Sequence, residues 1–275
     1  MINNLAGELE FIFWLSLFFY GGELMDVIYY DGSYDLKFGK VDTYDENGGI
    51  VVEKSLYSDF GLIPMSRPVV TVPEIKTNSI DIPGGNGKII LDTFLTGYSL
   101  YNNRNLQVTL MLDGKPEEWG KNLHKIYGYL HGKKKTVQIT GEEQFYRGYF
   151  YISEISSEQK YTTITIQGDL EPLAYNKYCQ TTISAPGSTA ITMSGENVQP
   201  VKPLIFTALN NPAQLISLQF VNPELSIDWS FNLYNGYANT GGLLMLSNFS
   251  GENTCTFTCT GGSGIVNIGY LEGII

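Results

Sequence analysis

The stretch SIDIPGGNGKIILDTFLTGYSLYNNRNLQVTLML, residues 79–112, decides the fold class because strand-forming runs lie on both sides of a glycine-rich turn. The aliphatic runs 88–93 and 105–112 are typical of strands. A phosphate-binding loop would need Ser or Thr after its Gly-Lys pair and then a helix, but Lys88 is followed by Ile89 and Ile90. Glycines accept the positive φ angles of a tight turn. The sequence therefore predicts a hairpin at PGGNGK, and no nucleotide site.

Downstream of this stretch, one segment has helical periodicity and several have strand alternation. From Pro116 to about His131, apolar residues recur at helical spacing; they are Trp119, Leu123, Ile126, Tyr127 and Leu130. Strands are predicted near 135–140, 145–153 and 160–168. The sequence thus predicts a single helix packed on a sheet.

Upstream of the stretch 79–112, residues 55–77 combine many apolar side chains with Pro64, Pro68 and Pro73. Proline breaks both helices and central strands. We expect the segment to be a long extended arm that lies on a surface, because long loops in compact domains are usually functional or disordered and the apolar content argues against disorder.

The composition indicates a mostly β globular protein. Of 275 residues, 43% are hydrophobic and only 16% are charged, while 30 Gly and 19 Tyr favour turns and strands over long helices. The formal net charge of −11 argues against stable nucleic-acid binding. An acidic surface would instead let DNA pass without adhering, because phosphate is repelled.

A change in charge predicts two domains with a boundary near residue 180. Residues 179–275 contain one cation, Lys202, and five acids, against sixteen cations and twenty-three acids before them. The second part consists of short alternating segments separated by Asn, Pro and Gly, among them PLIFTAL, LISLQF, LSIDWSFNL, GLLMLS, TCTFTCT and GIVNIGYL. This pattern predicts an antiparallel β-sandwich in 179–275 and a separate β-rich domain with one helix in 25–178.

The N-terminal segment 1–24 does not fit either domain. Its apolar run FIFWLSLFF, residues 11–19, follows Glu8 and Glu10 without any Lys or Arg, so it lacks the positive end of a secretory signal. It is also too short to span a membrane. We interpret residues 1–24 as an untranslated leader, with translation beginning at Met25; the alternatives are an unusual N-terminal helix or strand and a disordered N-terminal segment.

The inventory of chemically reactive side chains indicates no catalytic, cofactor or metal site. The two histidines, His124 and His131, lie on or just after the predicted helix, with no partners at a catalytic or metal-binding spacing. Cys255 and Cys259 sit four residues apart on one predicted strand, about 13 Å apart, which is too far for a disulfide. With Cys179 they are expected to be free thiols of a protein made in a reducing cytoplasm. The chain is predicted not to be an enzyme; a pair of carboxylates that could hydrolyse a glycosidic bond cannot be placed from sequence.

The residues also suggest that the protein could bind carbohydrate. Trp229, Tyr234 and Tyr237 lie close together in DWSFNLYNGY, and aromatic rings stack on sugars. Trp229 also alternates with Phe231 and Leu233, which favours a place in the core, so the two tyrosines near the turn are the better candidates. On this alternative, the protein is a carbohydrate-binding module that contacts a cell surface.

Only three arginines, Arg67, Arg104 and Arg147, stand among fourteen lysines. Arginine's planar, rigid donor set suits structural and interface contacts. Arg104 is therefore predicted to be a structural or interface anchor. Together with the arm residues Pro64, Arg67 and Pro68, it forms the predicted subunit interface.

Three stretches in order resemble the distal tail protein (Dit) family of long non-contractile-tailed bacteriophages. The first is 79–112. The second is EEWGKNLHKIYGYLHGKKKTVQI with FYRGYFYISEI and TTITIQGDLEPLAY, and the third is the ending FSGENTCTFTCTGGSGIVNIGYLEGII. The resemblance covers about residues 26–275. The chain departs from it in the turn, where many relatives carry a charged residue after the first glycine and this chain has Gly85 and Asn86.

The resemblance implies a fold and a role. Residues 25–178 would be a sandwich-like or barrel-like domain of the tail-tube type that forms a six-fold ring, and 179–275 would be a galectin-like sandwich. The protein would be a structural hub at the distal tail tip of the virion, with no membrane span. Its implied partners are copies of itself, the tail tube protein, a tail-tip protein and a receptor-binding protein, with DNA only in transit.

Overall fold

The computed structural model of the chain describes residues 30–91, 99–112, 116–157, 161–193, 201, 203–223, 226–238 and 253–274. The proposed leader, Met25 and the predicted strand GLLMLS lie outside these residues. The first part contains β1 Leu36–Tyr44, β2 Ile50–Ser55, α1 Leu56–Phe60, β3 Leu62–Pro64, β4 Val69–Val70, β5 Ser79–Asp81, β6 Lys88–Ile90, β7 Arg104–Leu112, α2 Pro116–Leu130, β8 Lys133–Ile139, β9 Phe145–Ser157 and β10 Thr162–Leu170. Then follow β11 Ala174–Met193, β12 Leu204–Leu209, β13 Ile216–Asn222, β14 Ile227–Leu233, β15 Gly236–Ala238 and β16 Asn253–Ile274. The prediction of a mostly β protein is confirmed.

The first part is an antiparallel sheet in the order β2-β1-β8-β9-β10-β7, with β3 and β4 on the outer side of β7. Alternating residues such as Ile164 and Ile166 of β10 face one hydrophobic cluster, as the period of two along a strand requires. The predicted strands 105–112, 135–140, 145–153 and 160–168 are confirmed as β7 to β10.

The predicted helix is confirmed as α2. Ile126 and Leu130 are fully buried, and Trp119 and Leu123 pack partly buried against the same cluster. Tyr127 was predicted on this face but is 37% exposed. Gly132 follows the helix with a positive φ of 70°, and its N–H donates to the carbonyl of Phe150 on β9 at 2.8 Å. The helix is thereby fixed across the sheet.

The predicted extended arm, 55–77, is wrong in its first third. Residues 56–60 form the short helix α1, because Ser55 caps its start by accepting from the N–H of Ser58 and Gly61 ends it in the left-handed conformation. All three prolines lie after this helix, so they do not oppose it. The remainder of the segment is extended, and β3 and β4 pair with β7 of the same chain.

The second part is built around two long strands, β11 and β16, which pair with each other over most of their length. Up to Thr260, β16 also pairs with β13; from Gly264 it pairs with β12 instead. Gly261 and Gly262 lie at this change with positive φ angles of 72° and 62°. Two groups of strands, β14-β13-β16-β11 and β15-β12-β16-β11, therefore share β11 and β16.

The inward side chains of both groups form one hydrophobic cluster. Phe257 from the first part of β16 and Ile268 from its second part both belong to it. This arrangement agrees with strands that change sheets at a corner, as in folded-over β-sandwiches. Cys255 and Cys259 are buried in the same cluster and are not joined in a disulfide, as predicted from their spacing.

Strand β11 runs straight through the predicted boundary near residue 180. The buried residues nevertheless separate there: one large cluster contains side chains from 36–174 and the other contains side chains from 183–270. A third, small cluster of Ile50, Phe145 and Tyr175 lies between them. We propose that 25–178 and 179–275 are two folding units joined by β11 and by the end of β16.

Candidate functional site

The glycine-rich turn belongs to a β-hairpin that stands apart from the main sheet. β5 and β6 pair only with each other among the described strands, with Ser79 opposite Ile90 and Asp81 opposite Lys88. Gly84 and Gly87 have positive φ angles of 73° and 91°, which explains why the turn needs glycine. The predicted hairpin at PGGNGK is confirmed.

The hairpin is the tip of a longer two-stranded arm, which we call the ribbon, residues 69–91 and 99–107. At its base, Thr71 and Asn105 are joined by a backbone hydrogen bond of 2.9 Å. Further out, the N–H of Lys76 donates to the carbonyl of Leu100 at 2.8 Å, and Ile75 pairs with Tyr101. The ribbon therefore continues from β4 and β7 at the sheet edge.

The ribbon exposes an unusual amount of apolar surface. Every residue from 74 to 90 is exposed, and five of them are isoleucines with exposed fractions of 38–54%: Ile75, Ile80, Ile82, Ile89 and Ile90. Ile80 and Ile89 are directly opposite each other and share one face. A two-stranded hairpin alone is only marginally stable in water, so this surface is suited to contact with another chain.

The ribbon carries little net charge. Glu74 and Asp81 are balanced by Lys76 and Lys88, which leaves the buried Arg104 at the base, and Asp81 and Lys88 approach within 3.9 Å across the hairpin. Both side chains are largely exposed, so this ion pair contributes little energy. Contact through this surface is therefore expected to depend on apolar burial.

The predicted interface residues do not lie together on this surface. Pro64 and Pro68 are buried within the chain. Arg67 is exposed, with its Nη2 atom 3.2 Å from Oε1 of Glu142. A role of these residues in a subunit interface stays a prediction. Within the chain they lie at the base of the ribbon.

Arg104 is a structural anchor inside the chain. Its side chain is only 7% exposed, and its Nε–H donates to the carbonyl of Pro172 at 2.6 Å. The guanidinium carbon lies 5.9 Å from the ring centre of Tyr146, and burial lowers the pKa of Arg104. Its contribution to an interface remains untested, whereas its contribution to folding is visible.

No protein-family model matches the chain, and no curated protein sequence does. Among solved structures, the Dit protein of phage SPP1, described as a paradigm of the hub adsorption apparatus in phages that infect Gram-positive bacteria, is similar with a TM-score of 0.53. The sequences are 13% identical, and the match covers 87% of this chain and 99% of the SPP1 protein. The chain has a Dit-like fold.

A chain of the phage P2 baseplate in its activated conformation with Ca is also similar, with a TM-score of 0.42 and 9% identity over 87% of this chain and 97% of that one.

The three predicted carbohydrate-binding residues, Trp229, Tyr234 and Tyr237, are all exposed. Trp229 was expected in the core but is 43% exposed, although it lies opposite the fully buried Phe220 and so shares the inward face. β14 is at the edge of the sheet, which explains its exposure. Tyr237 lies opposite Phe206 on the outward face of β15 and β12, and Tyr234 lies in the turn before β15. Sugar binding by this trio stays a prediction.

Phe206 was not singled out from the sequence, although it is 51% exposed and forms a pair with Tyr237, which is 64% exposed. The isoleucines of the ribbon were also missed. The sequence did contain a signal for them. Apolar side chains flank the polar turn and lie on both faces of the hairpin, whereas a half-buried strand has them on one face only. They are Ile80, Ile82, Ile89 and Ile90.

Within the part of the chain that the structure describes, no group of three or more His, Cys, Asp or Glu side chains is placed to hold a metal ion. No described helix is long and apolar enough to cross a membrane. His131 accepts a hydrogen bond at Nδ1 from the N–H of Ile152 at 3.1 Å, so this histidine joins α2 to β9.

Proposed function

We propose that the protein is a structural hub at the distal end of a phage tail, in which copies of the chain close into a ring that DNA passes through. The observation that carries this proposal is the Dit-like fold, which extends over 87% of the chain. The SPP1 protein with this fold is described as a hub of the adsorption apparatus. The ring would be joined to the tail tube protein on one side and to tail-tip and receptor-binding proteins on the other.

The exposed ribbon supports contact between copies. Its isoleucines remain exposed in the isolated chain, whereas burial on a neighbour would remove them from water at about 25 cal/mol per Å². A contact between two different surfaces of identical chains repeats head to tail and forms a ring when its rotation closes. We propose six copies, with 179–275 as a galectin-like outer domain that holds the other tail components.

The net charge supports passage of DNA rather than binding. Each chain carries a formal charge of −11, so a six-membered ring is strongly acidic. Repulsion between such a bore and phosphate would keep DNA from adhering. We propose no catalytic step, because a hub acts through assembly; the virion tail tip is the proposed location and the host cytoplasm the place of synthesis.

The test replaces the two facing isoleucines of the hairpin, as Ile80→Asp with Ile89→Asp. Both side chains are exposed in the single chain, so the protomer should melt within a few degrees of wild type. Rings seen by negative-stain microscopy, and their mass by light scattering, should be lost. The matched control is Ile155→Asp with Ile265→Asp, two isoleucines of 39% and 45% exposure outside the ribbon, which should assemble normally.

Two outcomes contradict the proposal. If the hairpin variant still forms rings, the ribbon is not the contact. If the control variant loses its rings as the hairpin variant does, the loss is not specific to the ribbon.

A further inference from the structure

A cavity of about 380 Å³ lies where the two parts of the chain meet. We call it the junction cavity; β1, β9, β11 and β16 contribute to its wall. Four tyrosines, Tyr44, Tyr175, Tyr178 and Tyr270, line it together with a small group of charged side chains. Its volume is in the range of small-molecule sites, which are mostly apolar with a few fixed polar groups.

The aromatic wall is held in place before any ligand arrives. The rings of Tyr44 and Tyr178 stack at 4.6 Å with 11° between their planes. The N–H of Tyr178 donates to the carbonyl of Gly48 at 2.8 Å. A Cβ on Gly269 would lie only 1.7 Å from the hydroxyl oxygen of Tyr178. Glycine at 269 is therefore what lets the Tyr178 ring occupy the cavity wall.

The charges at the cavity balance one another. Arg147 approaches Asp42 at 3.1 Å, from Nη1 to Oδ1, and Glu171 at 3.6 Å, from Nε to Oε2. The other oxygen of Glu171 lies 2.7 Å from Nζ of Lys134. The two carboxylates of the wall are thus paired with two cations, of which Arg147 lines the cavity and Lys134 lies outside its wall. Neither an anionic nor a cationic ligand would gain a favourable net field here, so the site is suited to a neutral molecule.

Two buried polar atoms in the wall, the hydroxyl of Tyr44 and Nε of Arg147, make no hydrogen bond of normal geometry within the chain, although the Arg147 guanidinium acts on the Tyr44 hydroxyl. Buried polar groups almost always have partners, and an unpaired one needs an explanation. Burial raises the pKa of Tyr44 to about 12, so its hydroxyl carries a proton at neutral pH. The Tyr44 hydroxyl therefore has a proton to donate to a ligand, and Nε of Arg147, which faces Oε2 of Glu171 at 3.6 Å, can donate to one as well.

We propose that the junction cavity binds one neutral sugar ring of a glycan. The apolar C–H face of a sugar packs on tyrosine rings, and its hydroxyls accept from Tyr44 and Arg147 and donate to Asp42, whose side chain is 52% exposed and accessible. An anion lacks the required neutrality and a hydrocarbon lacks the acceptors. The proposal does not depend on the hub role, because a monomer contains the whole cavity.

The test uses the full chain with D-glucose, D-galactose, L-rhamnose and N-acetylglucosamine as neutral probes, and glycerol 3-phosphate as an anionic one. Saturation-transfer NMR detects binding and calorimetry measures its stoichiometry. At least one neutral sugar should bind once per chain, and the phosphate should not bind.

Tyr44→Phe is the decisive variant because it removes only the unpaired hydroxyl. It should leave the melting temperature equal or slightly higher and weaken the sugar roughly threefold to tenfold, the effect of one hydrogen bond. Gly269→Ala, whose Cβ would displace the Tyr178 ring from its place in the cavity wall, should weaken it at least as much. Tyr234→Phe, at an exposed tyrosine outside the cavity, is the matched control and should bind like wild type.

The proposal is overturned if no neutral probe binds wild type, or if Tyr44→Phe and Gly269→Ala both bind as wild type does. It is also overturned if Tyr234→Phe alone abolishes binding, which would place a sugar site at the turn before β15. Capture of a partner peptide by the cavity, with no sugar binding, would assign the cavity to protein recognition instead.

Discussion

The two parts of the chain are stabilised by different interactions. Among the described residues, every ion pair has at least one member in 30–178, and the pair between Lys177 and Glu272, 3.4 Å apart, joins that part to the end of β16. In 179–275 the side-chain hydrogen bonds are between neutral groups or exposed, such as Thr192 to Thr254 at 3.0 Å and Gln219 to Asp228 at 2.8 Å.

This difference follows from the sequence, and it determines how the stability of each part depends on pH. With a single cation, residues 179–275 cannot form ion pairs of their own in any number, so alternation of apolar side chains must hold them together. Residues 25–178 instead combine a core with buried charges, whose energy depends on pH. Stability measurements on each part therefore test the comparison directly.

The largest effect is expected from removing one aromatic ring from each core. Phe150 and Phe257 are both fully buried, and each packs against another phenylalanine at 5.0 Å, Phe38 and Phe220 respectively. Phe150→Ala and Phe257→Ala should each cost about 3–5 kcal/mol. Hydrogen exchange should show that Phe257→Ala accelerates exchange in β13 and β16 well before β10.

Phe150→Ala should show the reverse order, with β7 and β10 affected first. If either variant destabilises both cores equally, the chain is one cooperative unit and the proposed division at 178/179 is wrong.

A smaller effect, about 2–3 kcal/mol, is expected for Glu171→Gln at neutral pH, because it leaves Arg147 and Lys134 without their shared carboxylate. Burial by itself would raise the pKa of Glu171, but Arg147, Lys134 and the hydroxyl of Tyr175 lower it below its usual value. A lowered pKa stabilises the fold above the unfolded-state pKa. The stabilisation should therefore disappear as the pH falls through the lowered pKa.

Denaturant titrations of wild type and Glu171→Gln from pH 7 to pH 3 check this. The matched change in the other part is Asp228→Asn, on an exposed carboxylate, which should stay within about 0.5 kcal/mol of wild type at every pH. A larger effect at Asp228 than at Glu171 would reverse the comparison.

A still smaller effect on stability, with the opposite dependence on pH, is expected for Asp35→Asn. This side chain is 7% exposed, and burial raises its pKa, although the Ser55 hydroxyl and the N–H of Tyr57 donate to it. A raised carboxyl pKa favours the folded state below the unfolded-state pKa, and this contribution is lost as the pH rises through the folded-state pKa.

Wild type should therefore gain stability relative to Asp35→Asn as the pH falls from 7 to 4, because the pKa of Asp35 is raised in the folded chain. Urea midpoints at the two pH values measure it. If wild type instead gains stability relative to Asp35→Asn as the pH rises, the pKa of Asp35 is not raised in the folded chain.

Much of the fold was predictable because its signals are local. The periodicity of α2 and the glycines of the β5–β6 turn specify those elements within about fifteen residues of sequence. α1 was missed because the three prolines of the arm outweighed a capped turn of five residues. The passage of β11 through residue 179 was also missed, since a shift in charge composition marks where two cores separate and not where a strand ends.

The candidate sites were less predictable because they depend on residues far apart in the chain. Tyr44, Arg147 and Tyr178 meet at the junction cavity only after β1, β9 and β11 have come together. Trp229 shows a second difficulty: its alternation correctly predicts its face, but exposure also depends on β14 being an edge strand, which the sequence of β14 does not contain.

The measurement that tests the central claim most directly is the particle mass of the purified full chain at high concentration, by light scattering with negative-stain imaging of the same sample. The account predicts closed annular particles of six copies with a central opening. A single species of one-chain mass, with no annular particles at any concentration reached, would contradict it.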